Sequence, residues 1–206
     1  DWVDTLFKIV LCDYLNPISD KKCEYVKEGA LVLKRYAKGY KIVEKGTEKK
    51  ILPKYASKKS IEVMDAVGQL AMPGFFDMHF HWVQDDVRLM PKDSLLEWLS
   101  KYTWPYEAKF KDRKYSENKA QLFSKELLAV GTLGGAVYAS IHGHTVDHAL
   151  KHFMGNFIVG NVLMTMNSPE YLSQTEKNAI SLVTKKAEKF KSRYAMTPRF
   201  APTTAP

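Results

Sequence analysis

The texture of the chain changes at Pro73, and that change constrains the fold more than any other feature. Before it, short runs of β character, "LFKIVLCDY", "GALVLKRY", "GYKIVEKG" and "KSIEVMDAVGQLAM", are separated by Gly, Pro and charged residues. No apolar 3.6-residue period is sustained there over three turns, so helices should be few. After Pro73, apolar strand-like runs alternate with amphipathic stretches: "FFDMHF", "DSLLEWLSKY", "SENKAQLFSKELLAVG", "GGAVYASIH", "TVDHALKHFM", "NFIVGNVLMTM", "EKNAISLVTKKAEKF" and "RYAMTPRF". A βαβαβαβ series implies a parallel sheet with its crossover helices packed outside it. The expected organisation is a small β-rich, sandwich-like domain over residues 1–70 and an α/β domain over residues 71–206.

Local signals give the expected details. "FFDMHF" reads as a strand buried on both faces. Asp93 is the expected cap of the helix carrying Leu95, Leu96, Leu99 and Tyr102, and Ser116 that of the helix carrying Leu122, Phe123 and Leu127, which Gly131 stops. Ser168 and Pro169 are expected to open the last helix, where Ile180, Val183, Ala187 and Phe190 repeat at helical spacing. The series suits a small open sheet or the first half of an eight-stranded barrel. His79 and His81, His142, and Thr197 with Arg199 all fall where strands end, at the carboxyl edge where α/β folds keep their chemistry.

His79 and His81 in "HFH" project from one face, because side chains alternate along a strand. Two neutral imidazoles at ~2.0–2.1 Å suit a zinc ion that takes its other ligands from elsewhere. Asp77 is read as structural. His144, His148 and His152 recur every four residues and share a helix face. Barrel helices lie outside the sheet, so these three read as a partly exposed helix face remote from His79 and His81.

Lys and Arg outnumber Asp and Glu by 31 to 23, for a formal charge of +8. The excess is dispersed, and no Arg-rich stripe, RNP-type aromatic motif or zinc-finger spacing focuses it, so no nucleic-acid partner is expected. Cys12 and Cys23 form no CxxC, which argues against a disulfide framework and for a reducing, cytoplasmic setting. The early run "LFKIVLC" is too short to span a membrane and no small-residue cleavage site follows it, so neither a membrane partner nor export is expected.

"MPGFFDMHFH", opening the α/β series, resembles the signature of the amidohydrolase superfamily, whose first barrel strand ends in this histidine pair. "SLLEWLSKYTWPYEAKF", "GGAVYASIH", "VGNVLMTMNSPEYL" and "AMTPRFAPT" are similar, in order and spacing, to segments of the guanine deaminases within it. The resemblance implies an α/β fold: the first half of a (β/α)8 TIM-type metal-dependent hydrolase barrel. It implies a zinc-dependent hydrolysis of guanine to xanthine and ammonia, with His79 and His81 as the first two metal ligands. Gln84 matches an amide that contacts the purine, offering donor and acceptor together. Arg199 matches a guanidinium for the purine carbonyl oxygen, and Phe200 an aromatic packing on the ring. His142 matches a family histidine that is not a ligand and is expected near the pocket mouth.

One zinc ion is expected, because Thr197, Pro198 and Arg199 stand where two-metal members end strand four with a carbamylated lysine. A small-molecule purine substrate and a homodimeric intact protein are also implied. The family's remaining ligands and its catalytic glutamate follow the "TPRF" strand, so they are expected beyond Pro206. The stretch from Pro73 is little more than half of the ~250 residues a closed barrel needs. With Asp1 at one end and Pro206 at the other, both ends look cut, and this chain alone is expected to be inactive. Two alternatives stand beside this reading. One is a related amidohydrolase acting on another heterocyclic amine. The other is a truncated, non-catalytic chain acting in binding or assembly through its uncovered strand edges.

Overall fold

The computed structural model describes residues 6–37, 39–58 and 60–205; residues 1–5, the start of the expected N-terminal domain, lie outside the described residues. The chain divides into two compact units between Pro73 and Gly74.

The first unit holds β1 (Phe7–Ser19), β2 (Lys22–Tyr36), β3 (Gly39–Thr47), α1 (Glu48–Tyr55) and β4 (Ile61–Ala71). Its four strands run in the order β3-β2-β1-β4. The β1–β2 and β2–β3 pairs are antiparallel and β1–β4 is parallel. Ile51 of α1 packs on Ile9, Ala30 and Val32 of the sheet. Such an apolar side chain contributes about 1.5–3 kcal/mol when fully buried. Cys12 is buried, Cys23 is exposed, and both are unpaired.

The second unit begins with β5 (Phe75–His81), a 3-10 turn over Trp82–Val87, the short helices α2 (Leu95–Trp98) and α3 (Trp104–Ala108), and α4 (Arg113–Ala129). Then come β6 (Thr132–Ala139), α5 (His144–His152), β7 (Asn156–Leu163), α6 (Glu176–Phe190) and β8 (Thr197–Pro198). The four strands are parallel and lie in sequence order, β5-β6-β7-β8. A doubly wound sheet would reverse its order at a switch point. Strictly sequential neighbours joined by crossover helices make half of a (β/α)8 barrel. Its core sets Val137, Phe157 and Val159 of the sheet against Trp82, Phe110, Leu127 and Val146 from the helical layer. No described helix is long and apolar enough to cross a membrane.

Several local expectations are corrected. Ser94, not Asp93, caps α2, its Oγ accepting the Glu97 N–H at 3.2 Å. Ser94 is the residue with extended dihedrals at that junction, which an N-cap needs. The cap of α4 is Asp112, whose Oδ1 accepts the Tyr115 N–H at 2.8 Å, while Ser116 is buried inside the helix. Thr175 caps α6, and Pro169 instead precedes a 3-10 turn over Glu170–Leu172. On α6 it is Ala179 that is buried, and Ile180 faces out. The last strand is limited to Thr197 and Pro198, with a single bridge from Tyr194 to Val159 before it. Proline has no N–H to extend the ladder. Gly131 ends α4 as expected, in the left-handed region at φ +73°. Phe75, Phe76 and Met78 of β5 are exposed rather than buried on both faces, because β5 is the edge strand of its sheet.

Candidate functional site

Five side chains from four segments meet at the carboxyl end of the parallel sheet. His81 ends β5 and His79 precedes it, Tyr138 lies near the end of β6, and Gln84 sits in the turn after β5. Arg199 immediately follows β8. The strand ladder positions the histidines with a local irregularity: Asp77 pairs with Gly135 but Phe80 pairs with Val137, so β5 carries one extra residue in that interval. Such a bulge bends a strand and re-aims its side chains. Here the Asp77 carboxylate holds the bulge by accepting the His79 N–H at 3.0 Å. Asp77 thus has the structural role expected of it, and it also lines the same groove as the pair.

Both imidazoles stack on Tyr138, with ring centroids 4.6 Å from it for His79 and 4.5 Å for His81. The two histidine rings are 5.5 Å apart, so the period-two pattern brings them together. Burial pushes His81 down to about 3, helped by the Arg199 guanidinium and by His79, so its ring is neutral at neutral pH. Its Nδ1 is buried and accepts or donates no hydrogen bond among the described residues. A neutral imidazole with an unused buried nitrogen suits a metal, and a pair of imidazoles suits zinc. Among the described residues no third His, Cys, Asp or Glu joins the pair. His79, His81, Gln84, Asp85 and Arg88 line a groove of about 390 Å³ at the outer edge of β5.

Gln84 and Arg199 meet through Glu107 of α3, which the sequence reading did not single out. Glu107 Oε1 accepts from Gln84 Nε2 at 2.8 Å, and Oε2 accepts from Arg199 Nη1 at 2.6 Å. Glu107 is 1% exposed and the Arg199 side chain 6%. Burial pushes the Glu107 carboxyl up, while the guanidinium and the Gln84 amide pull against it. The signal that could have found it is the acid inside "WPYEAKF", where Trp, Tyr and Phe surround a charge that must be paired if buried.

Phe200 follows Arg199 in the chain but does not join the stacked rings of the site. It is half-buried, and its carbonyl accepts the Thr203 N–H at 2.9 Å. His142, just past β6, has a buried Nε2 without a partner among the described residues, and burial pushes it down to about 4. The helix histidines are partly exposed and each is tied to a neighbour. His144 Nε2 lies 2.7 Å from the Phe110 carbonyl, His148 Nδ1 2.9 Å from Ser116 Oγ, and His152 Nε2 3.1 Å from Glu117. They fasten α5 to α4 and to the turn before it, and they do not approach His79 or His81.

No family model matches the chain. A guanine deaminase of Escherichia coli (strain K12) is 36% identical over 154 residues, covering 71% of this chain and 35% of that protein. The solved structure of E. coli guanine deaminase is similar with a TM-score of 0.84 at 29% identity, covering 97% of this chain and 48% of that one. A guanine deaminase from C. acetobutylicum, solved with guanine bound in its active site, gives 0.82 at 25% identity, with 97% and 48% covered. The chain therefore spans about a third of the E. coli sequence it matches within the alignment, and about half of each of these structures.

Proposed function

Because this chain is homologous to the N-terminal portion of the guanine deaminases, enzymes of the amidohydrolase superfamily, we propose that it serves the hydrolytic deamination of guanine. The observation that carries this reading is the convergence of two imidazoles, that of His81 held neutral by burial, with Gln84 and a buried arginine at one end of the sheet. His79 and His81 would hold a single zinc ion, which supplies a Lewis acid that activates water at neutral pH. The orphaned Nδ1 of His81 fits that role.

The chain's own side chains bind and orient the base. Arg199 directs charged N–H donors at a carbonyl oxygen, which favours an oxopurine. Gln84 adds a neutral amide beside it, and the aromatic face for the ring is assigned to Phe200 on its match to the family's "TPRF" segment alone. Water replaces the amino group on C2, giving xanthine and ammonia.

The test is ammonia release from guanine by the protein expressed from its own gene, with zinc content measured in parallel. His81→Ala is expected to lose zinc and at least about 100-fold in turnover. Undiminished turnover by that variant would remove His81 from the reaction. The 206-residue chain by itself is expected to hold zinc weakly and to release ammonia at the background rate, since its described residues bring two donors together where zinc takes about four. Brisk turnover by it would show that the described residues suffice.

A further inference from the structure

Resting on that functional reading, we propose that Glu107 is a positioning residue that sets the hydrogen-bonding polarity of the base-recognition edge. It engages the NH2 end of Gln84 and one N–H of Arg199, so that the site presents an acceptor, Gln84 Oε1, beside guanidinium donors.

An ionised carboxylate only accepts hydrogen bonds. Each Glu107 oxygen takes one: Oε1 from Gln84 Nε2 at 2.8 Å and Oε2 from Arg199 Nη1 at 2.6 Å. A side-chain amide is otherwise free to turn over, and its two ends are told apart by the partner each one finds. Glu107, 1% exposed and without solvent to replace its partners, removes that freedom. Gln84 lines the groove shared with His79 and His81, and with its NH2 end turned to Glu107 the opposite, carbonyl end is the one offered to a base. Arg199 has five N–H donors and Glu107 uses one of them.

An acceptor beside donors matches a base that places an N–H next to a C=O. Guanine does so at N1 and C6. The reverse edge, a bare N1 next to a C6 amino group, belongs to 2,6-diaminopurine, which keeps guanine's amino group on C2. Glu107 therefore acts on substrate choice through two residues that touch the base, without touching it itself. With an uncharged amide at position 107, Gln84 can turn over and present its NH2 to the reverse edge.

The experiment compares Glu107→Gln with wild type on guanine and on 2,6-diaminopurine. Wild type is expected to prefer guanine by at least about 10³ in kcat/KM. The variant is expected to lose about tenfold or more of that preference, through a raised KM for guanine, with kcat changed by less than about threefold. A lowered kcat on both bases at an unchanged ratio would make Glu107 structural only, and would overturn the proposal. A second measurement needs no variant: in wild type the Gln84 side-chain NH2 protons are expected to exchange slowly with water and to stay so when guanine is added. Fast exchange, or release of those protons on adding guanine, would overturn it whether or not the variant folds. If wild type neither binds nor deaminates guanine, the functional reading falls and takes the assignment of the base with it. The amide exchange still decides, on its own, whether Glu107 fixes the polarity of Gln84.

Discussion

Gly135→Ala is expected to cost the C-terminal unit about 3 kcal/mol or more, enough to unfold a marginal domain. Gly135 sits at φ +146°, where an L side chain is strained, and an added Cβ would overlap the Asp77 carbonyl oxygen of the neighbouring strand. The obstacle is backbone held in the β5–β6 ladder, so no rotamer change relieves it. Gly68→Ala is the matched control, with a positive φ of +84° but open space around the added methyl, and should cost only about 1 kcal/mol. Urea denaturation of both variants measures the difference. If the two are equally stable, the close approach of Gly135 to Asp77 is not a constraint. The same substitution should also spoil the histidine pair, because Gly135 faces the residue whose carboxylate holds the His79 N–H.

Arg199→Ala is expected to cost about 3–5 kcal/mol, because it leaves Glu107 buried without its cation. The loss should depend on pH in a defined direction. Burial already raises the Glu107 carboxyl, and the largest opposing pull is Arg199. Its removal lifts the folded-state value further above the unfolded one of about 4.3. Between those two values the native state holds a proton that the unfolded state has lost, so stability is full below the lower value and falls as pH rises through the upper. The deficit relative to wild type should therefore be larger at about pH 8 than at about pH 5. Removing the acid as well, in Glu107→Leu with Arg199→Met, should recover much of the stability and none of the guanine binding. Denaturation curves at the two pH values decide it. A deficit that is the same at both would mean that Glu107 stays ionised without its partner.

The elements that were legible in the sequence are those with a local cause. The alternating series after Pro73 gave the parallel sheet, since each strand and crossover is written in its own periodicity. The spacing of His79 and His81 gave their shared face. What was not legible depends on neighbours remote in sequence. The apolar run of β5 is the same whether the strand is central or at an edge, and only the pairing in space shows that Phe75 and Met78 are exposed. Asp93 and Ser94 both have capping chemistry, and the backbone dihedrals at the junction choose between them. Glu107 sits 23 residues from Gln84 and 92 from Arg199, so the aromatic setting of "WPYEAKF" can hint at a buried acid but nothing nearby names its partners.

The second of those separations also orders events in time. A ribosome adding about 5–20 residues per second delivers Arg199 several seconds after Glu107 has emerged. During that interval Gln84 and water are the partners on hand for the carboxylate, and closing α3 over it would bury an uncompensated charge. Docking of α3 is thus expected to wait for the "TPRF" segment, so the base-recognition edge assembles only after the whole β5–β8 sheet has been made.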